Sequence, residues 1–467
     1  MKKSLLASAL ALMMAAPAFA ESTDIVVIGS GGAGLSSAIM ATEAGAKVIV
    51  LEKMAYFGGN SNRSEGGMNA AGTKQQIADG VTDDSPEIFY KDTMKGGHNL
   101  NNPALLRTLT ENAAGAEEWL LSLGAKFCHR MGRGGGQSKA RGHGPCDGSP
   151  VGIELMRVLG ERAAKDKIDM RNLNQVTDIV MKDGKVAGVK VKTPEGMKTI
   201  DAKAVILATG GFGANQAMVT KYRPELKGFS TTNHPGATGD GIVLAEKVGA
   251  SLTDIDQIQI HPTVIKRNGA LISESMRARG GFLLNKNGKR FTNELLTRDV
   301  VSANELKQPG GVAYLIVDNS IYKKNKMLRS YVSEKLMTRC DTIDDVAKLI
   351  KADPAVVKAS FEQYWKAYDQ KKDDLFGRPE MVIRMDQAPY YVAEVTPGIH
   401  HTMGGVTIDP KTEVISKATG KPIPGLFAAG EVTGGVHGGN RIGGNAVADI
   451  VTFGRIAGVN AAKYVGK

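Results

Sequence analysis

The chain has 467 residues, 42% of them hydrophobic, includes 57 glycines and carries a formal charge of +11. That length holds two domains or more, and the apolar share is that of ordinary globular cores, which excludes a disordered or fibrous chain. The basic balance favours acidic ligands; with no basic run and no aromatic-interleaved basic patch, nucleic acid is disfavoured as a partner.

Met1 to Ala20 reads as a leader. Lys2 and Lys3 form a basic start, Leu5 to Ala16 is mostly apolar, and Ala18-Phe-Ala20 fits the small-x-small cleavage rule. The stretch is too short to span a bilayer, no later segment is long and apolar enough, and no twin-arginine pair precedes it. The expectation is a cleaved Sec leader and a mature chain that starts near Glu21 outside the cytoplasm. Without Lys2 and Lys3 the charge of +11 becomes +9.

Asp24-Ile-Val-Val-Ile28 predicts a short buried strand, Leu35 to Ala44 a helix, and Lys47-Val-Ile-Val-Leu51 a second strand ending at Glu52. Between the first two lies Gly29-Ser-Gly31-Gly-Ala-Gly34. This is the dinucleotide fingerprint in its required context. Gly29 makes the tight turn, Gly31 lets backbone approach a pyrophosphate, Gly34 packs helix on strand, and Glu52 is placed to bond a ribose hydroxyl.

Asp183-Gly and Pro194-Glu-Gly predict hairpin turns, and so a small β-insert near 175–200. Lys203 to Gly211 reads as a buried strand ending in a glycine turn. From about 255 to 385 charged helical stretches dominate and the glycine density falls. After about 386 the glycine-rich texture returns. The reading is a discontinuous first domain, 21–254 and 386–467, with a second, 255–385, inserted into it. The 325–371 charge run reads as a solvated helical face. The three cysteines, Cys128, Cys146 and Cys340, are too sparse for a disulfide framework; Cys128 and Cys146 could pair, which sequence leaves open. There is no C-x-x-C-H haem motif and no iron–sulfur spacing.

Two C-terminal stretches complete the pattern: Gly398-Ile-His-His-Thr-Met-Gly-Gly405 and Gly434-Gly-Val-His-Gly-Gly-Asn-Arg-Ile-Gly-Gly-Asn445. Their glycines bring backbone amides close to a ligand. His400, His401 and Arg441 within them suit a carboxylate. Together they point to redox chemistry on a small organic acid.

Taken with Gly58-Gly-Asn60, Gly66-Gly-Met-Asn69, Ala208-Thr-Gly-Gly211, His261-Pro-Thr263, Arg298-Asp299 and Pro424-Gly-Leu-Phe-Ala-Ala-Gly-Glu431, the chain resembles the flavoprotein subunit of the fumarate reductase/succinate dehydrogenase family. It most resembles the soluble periplasmic flavocytochrome c fumarate reductases, over nearly all of the mature chain. The resemblance implies an α/β fold: a Rossmann-like FAD-binding domain with an inserted α+β capping (clamp) domain. It implies FAD held by Gly29, Gly31, Ala33, Gly34, Glu52, Asn60, Ser61, Gly66, Gly67, Val176, Asp240, His401, Glu431, Ala446 and Val447. Membrane-bound members attach FAD through a histidine near the Gly-Gly motif; Gly59-Asn-Ser-Asn-Arg63 has none, so a non-covalent cofactor is expected. The multihaem domain of the soluble members has no counterpart here, so the expected electron donor is a separate protein, a c-type cytochrome.

The chemistry implied is reduction of a C=C bond conjugated to a carboxylate, by hydride from flavin N5 and a proton from Arg298, itself refilled through Glu274 and Arg277. His400 and Arg441 would clamp one carboxylate, His261 and Ser273 the other, with Gly444 beside them. The bland alternatives are an Arg298–Asp299 ion pair, a structural Glu274–Arg277 bridge, and surface or structural roles for His234 and His437. Ser273 departs from the usual threonine, and Met131 to Gln137 is unusually glycine-rich. Relatives with altered pockets reduce urocanate, methacrylate or aryl-acrylates; retention of His261 favours a C4-dicarboxylate, fumarate first. A mere flavin electron carrier has no use for His261, Arg298, His400 and Arg441 together. The direction of the reaction stays open.

Overall fold

The computed structural model describes residues 21–128 and 131–467; the expected leader lies outside them. Strand β1 (Glu21–Ile28), helix α1 (Gly32–Glu43) and strand β2 (Val48–Leu51) form the opening βαβ unit, with β1 and β2 parallel and Val26 opposite Ile49. Ile25 to Val27 and Val50 are fully buried, as expected for strands covered on both faces. Strand β3 (Asp169–Arg171) extends the sheet beyond β2. Strands β4 (Gln175–Lys182), β5 (Lys185–Thr193) and β6 (Gly196–Leu207) make an antiparallel meander. Its first turn is Asp183-Gly184, with both residues at positive φ, the geometry a two-residue hairpin favours. The second half of β6 then runs parallel beside β1.

The next elements build a second sheet. They are β7 (Ile258–Val264), α2 (Ser275–Ala278), β8 (Phe282–Leu284), α3 (Arg298–Leu306), β9 (Ala313–Asp318), α4 (Lys326–Ser333), β10 (Thr338–Cys340) and β11 (Tyr390–Thr402). The strand order is β7–β11–β9–β8, with β10 also pairing β11. Its core stacks Phe282 on Tyr364 and sets Phe361 edge-on to Phe282 and Tyr390. The charged stretch past 340 forms helices Ile343–Ile350 and Pro354–Asp369, which bury Val346, Ile350, Val357 and Phe361.

The chain returns to the first sheet as β12 (Glu413–Ile415) and β13 (Pro422–Ala428), and closes with α5 (Asn445–Tyr464), which packs along α1. The eight-stranded sheet thus reads β12–β13–β6–β1–β2–β3, with β4 and β5 attached through β6. The buried apolar residues fall into two clusters, one on each sheet. The first sheet and its helices form the body; the second forms the cap. Strand β11 serves both: Tyr390 to Val395 pack in the cap core and Ile399 in the body core.

Cys128 and Cys146 are joined by a disulfide, while Cys340 is free and buried. Among the described residues no helix is long and apolar enough to cross a membrane, and no His, Cys, Asp and Glu cluster could hold a metal ion.

Candidate active site

Two connected hollows run through the molecule. The first opens at the C-terminal end of β1. Gly29 turns there with φ +105°, and a Cβ on it would lie 2.4 Å from the Ala208 carbonyl oxygen. A Cβ on Gly34 would lie 1.9 Å from the Gly29 carbonyl oxygen, so only glycine lets α1 start against the strand. Gly29, Gly31, Ala33, Glu52, Asn60, Ser61, Val176, Asp240 and Glu431 line this cleft; Gly34 stands behind it as a spacer. Glu52 accepts from the Ser30 amide (3.2 Å), the Ser30 hydroxyl (2.7 Å) and the Met54 amide (2.9 Å), which fixes its carboxylate at the end of β2.

The second hollow, about 1150 Å³, lies between body and cap. Asn60, Ser61, Gly66, Gly67, His401, Glu431, Ala446 and Val447 line the side that continues the first cleft. His261, Ser273, Glu274, Arg298, His400, Arg441 and Gly444 line the rest. These side chains come from separate elements: His261 from β7, Ser273 and Glu274 from the approach to α2, Arg298 from the start of α3, His400 and His401 from the end of β11, and Arg441 from the loop before α5. Arg277 is fully buried on α2, behind Glu274, and is not part of the wall.

The centre is a network of buried cations. Arg298 Nε donates to Glu274 Oε2 at 2.5 Å, and its Nη1 donates to Gln259 Oε1 at 3.2 Å. Arg441 Nη2 donates to the same Gln259 oxygen at 3.2 Å. Glu274 also accepts from the Gly135 amide at 2.7 Å, and Arg277 Nη2 lies 3.9 Å from its Oε2. The alternative pairing of Arg298 is not formed: Asp299 bonds His98 Nε2 at 2.8 Å. Burial alone would raise the Glu274 carboxyl, but the Arg298 and Arg277 charges outweigh it and hold it at about 2. Burial, then the Arg298 charge, brings Arg441 down to about 9. The pocket is therefore a cluster of guanidiniums with one firmly ionised acid.

The histidines are held neutral. Burial pushes His261, His400 and His401 well below the usual imidazole value, and the Arg298 and Arg441 charges push the same way. The Thr263 amide donates to His261 Nδ1 (3.2 Å), so the hydrogen-bond network assigns the proton to Nε2, which is buried and without a partner among the described residues. His261 thus holds a free N–H donor at the cavity wall. The His400 ring lies 5.1 Å from it, anchored through Nδ1 to the Thr232 hydroxyl at 2.7 Å. Arg441 Nε is likewise buried and unpartnered among the described residues. Ser273 is fixed by Ser275, whose amide and hydroxyl donate to its Oγ at 3.3 and 3.0 Å.

Residues 24–447 match the FAD binding domain family. The chain is 45% identical over 449 residues to the fumarate reductase (cytochrome) of Shewanella frigidimarina, covering 96% of this chain and 78% of that one. The chain belongs to the fumarate reductase/succinate dehydrogenase family of flavoproteins. It is similar to the NADH:fumarate oxidoreductase of Klebsiella pneumoniae (strain 342), at 46% identity over 95% of this chain and 48% of that one. The open conformation of a flavocytochrome c3 fumarate reductase superposes with a TM-score of 0.80 at 46% identity, covering 96% of this chain and 79% of that one.

This flavoprotein is an FAD-dependent oxidoreductase acting on C=C bonds, and FAD is its cofactor. Its residues fit that group. Only glycine clears the backbone at the turn of the cleft, Glu52 stands at the end of β2, and the buried His401 Nε2 has no partner among the described residues, beside Glu431, which lines both hollows.

Gln259, between the two arginines of this flavoprotein's site, escaped the sequence reading. Gln259 is the hinge of the network: its oxygen accepts from both arginines, and its amide donates to Asn440 Oδ1 (2.6 Å) and the Arg441 carbonyl (2.7 Å). It precedes His261 by two residues on β7, and the strand period of two is the signal that could have pointed to it. His437 is not on the surface: it is buried, bonded to Asp449 at 3.0 Å, and edge-on to His401. His234 lines the cofactor cleft. The glycine-rich loop packs on the site, since Gly135 bonds Glu274 and Gln137 Nε2 donates to the Gly443 carbonyl at 3.1 Å. Arg133, in the same loop, pairs with Glu380, and both line the cavity.

Proposed function

We propose that this flavoprotein reduces the C=C bond of an unsaturated dicarboxylate, fumarate to succinate, using non-covalently bound FAD. The carrying observation is the buried cationic pocket: Arg298 and Arg441 share one neutral oxygen of Gln259, and donors on His261 and Arg441 without partners among the described residues lie at the same cavity. Buried donors without partners cost free energy until an anion supplies acceptors. Arg441 and His400 take one carboxylate; His261 and the Ser273 hydroxyl take the other. Reduced FAD, when bound, supplies the hydride from N5. Arg298 delivers the proton to the other alkene carbon, and Glu274 with Arg277 returns a proton to it. Arg298 is kept in place for this by its 2.5 Å bond to Glu274. The cap, residues 255–385 with the start of β11, closes the substrate off from water and strengthens each of these charge interactions.

The absence of a histidine from Gly59 to Arg63 supports a non-covalent cofactor. A separate c-type cytochrome is the electron donor in this reading, supported by the name of the Shewanella frigidimarina relative. A periplasmic location is supported by the leader-like first twenty residues and by the Cys128–Cys146 disulfide, a bond of oxidising compartments.

The test is a substrate panel with reduced viologen as donor: fumarate, methacrylate, acrylate, cinnamate and urocanate. Fumarate is expected to give the highest kcat/KM. A monocarboxylate that wins overturns the dicarboxylate reading and leaves the enoate chemistry standing. Acid precipitation is expected to release all the yellow colour; flavin left in the pellet overturns non-covalent binding. Rapid fumarate-dependent NADH oxidation by the purified chain overturns the external donor.

A further inference from the structure

Helix α3 presents two chemical groups on one buried face. Arg298, Val301, Ser302 and Glu305 are its buried residues, the i, i+3, i+4, i+7 stripe of a helix turned to a core. Arg298 opens the helix at the substrate cavity. Glu305 is fully buried two turns on, with neither carboxyl oxygen hydrogen-bonded among the described residues. A buried carboxyl in that state is costly unless it stays protonated or finds a partner.

The charged group that faces it is Arg277. Arg277 is equally buried, and its Nε and Nη2 are also without hydrogen-bond partners among the described residues. Its Nη1 donates to the Glu294 carbonyl at 2.5 Å. Of the elements packed against α3, β7 and β11 bring His261 and His400 to the Arg298 end. Around Glu305 itself, α2 contributes Arg277 and β9 the Ala313 amide. Burial drives the Glu305 carboxyl well above its ordinary value, with Arg277 and the Ala313 amide opposing. Ion pairs link Arg298 to Glu274 and Glu274 to Arg277, and the Arg277 charge acts in turn on Glu305, so base and acid alternate.

We propose that Glu305 is the proton-holding terminus of the relay that refills Arg298, acting through Arg277 across a bridging water. The inference rests on Arg298 being the proton donor. After Arg298 has given its proton to the alkene carbon, the Glu274 carboxylate accepts a proton from Arg277 and passes it to the neutral Arg298 guanidine, and Arg277 is reprotonated by the Glu305 carboxyl. The net change moves one proton from Glu305 to Arg298, with no electrons transferred. Glu305 is left as a carboxylate beside the Arg277 cation until solvent returns a proton at the end of α3, where Leu306 is exposed. Glu305 is therefore a positioning residue for protons and touches neither substrate nor cofactor.

The experiment compares wild type, Glu305→Gln, Glu305→Leu and Arg298→Ala by viologen-driven fumarate reduction across pH, together with FAD content and infrared spectroscopy. Positioned acid–base groups contribute ~10²–10⁴-fold; for a group that refills a donor the expected loss in kcat is smaller, about tenfold. The KM for fumarate and the FAD content are expected to be unchanged. Wild-type kcat is expected to fall on its alkaline limb as Glu305 loses its proton; both Glu305 variants are expected to run slowly and lack that limb. The infrared spectrum of the wild type at neutral pH is expected to hold a protonated-carboxyl band that the Glu305→Gln difference spectrum assigns. A Glu305→Gln enzyme with wild-type kcat and pH profile overturns the proposal, as does an infrared difference without that band, which needs no turnover. If Arg298→Ala keeps full activity, the underlying donor assignment fails instead. If Arg298→Ala is inactive while Glu305→Gln is normal, only the Glu305 role fails.

Discussion

The two ends of the cavity recognise their ligands by opposite means. At the FAD end the backbone does the fitting. Gly29 and Gly34 are there because a Cβ would collide with Ala208 or Gly29 main-chain atoms, and Glu52 is held by Ser30 and Met54. At the substrate end almost nothing is backbone. Arg298, Arg441, His261 and His400 come from four separate segments and meet around Gln259 or each other. A backbone cradle tolerates many side-chain changes but no added Cβ. A charge cluster tolerates backbone adjustment but not the loss of one member, because the remaining charges stay buried. Mutations at the substrate end are therefore expected to remove chemistry while leaving FAD bound.

The sharpest break of that contrast is Arg298→Ala. Turnover of fumarate is expected to fall by ~10²–10⁴-fold or more, the loss typical of a proton donor. FAD content and fumarate binding are expected to stay near wild type, read by flavin absorbance and by ligand-induced spectral change. Loss of FAD together with activity would show that the two ends are not separable.

The same contrast explains what the sequence revealed. The βαβ cradle was legible because a backbone constraint forces glycine at fixed spacings. The Asp183-Gly184 hairpin was legible for a similar reason, since its turn chemistry is equally local. The residues that line the second hollow were legible only through family resemblance, since nothing local ties His261 to His400 across more than a hundred positions. Gln259 was missed because a neutral amide in a strand looks ordinary until folding places it against two arginines. Strand β11 begins in the cap core and ends at the site, a double duty that residue texture does not register. The Glu305 carboxyl was invisible because its meaning lies in being buried without a bond.

Substrate choice is expected to show the next largest effect. In the proposed assignment of His261 with Ser273 and His400 with Arg441 to one carboxylate each, loss of one anion leaves buried donors unpaired, so fumarate is expected to beat methacrylate, acrylate and cinnamate by ~10²-fold or more in kcat/KM. His261→Ala is expected to narrow that gap by harming fumarate most. A gap that does not narrow places the second carboxylate elsewhere.

A smaller, pH-dependent effect follows from Arg441, whose guanidinium is brought down to about 9 by burial and the Arg298 charge. In the proposed assignment the protonated form binds the carboxylate, so KM for fumarate is expected to rise as pH passes about 9, approaching about tenfold per pH unit. Once bound, the anion restores the charge, so kcat is expected to change less. Arg441→Gln is expected to have a high KM that no longer varies there. A flat wild-type KM through about pH 10, a unit past that titration, would mean that Arg441 keeps its proton without substrate.

The smallest effect expected lies at the seam between cap and body. Tyr331 on α4 donates to Glu65 Oε2 at 2.5 Å and accepts from the Ser273 amide at 3.1 Å, joining cap to body at the wall of the second hollow. Burial drives the Glu65 carboxyl up to about 8, although the Tyr331 bond opposes the rise. The sign of the linkage follows. Unfolded, Glu65 ionises near 4.5; folded, it keeps its proton to about 8. The folded chain therefore holds a proton that the unfolded chain has released, and this contribution to stability is full below 4.5 and is lost as pH rises through 8. Glu65→Gln is expected to flatten that part of the stability–pH curve in denaturant melts. Tyr331→Phe removes the acceptor of the Ser273 amide, at a cost of about 1–3 kcal/mol for a buried donor left unpaired, and is expected to raise KM for fumarate a few-fold with kcat nearly unchanged. If Glu65→Gln leaves the curve unaltered, Glu65 is ionised in the folded protein, and the seam is held by charge and not by a neutral acid.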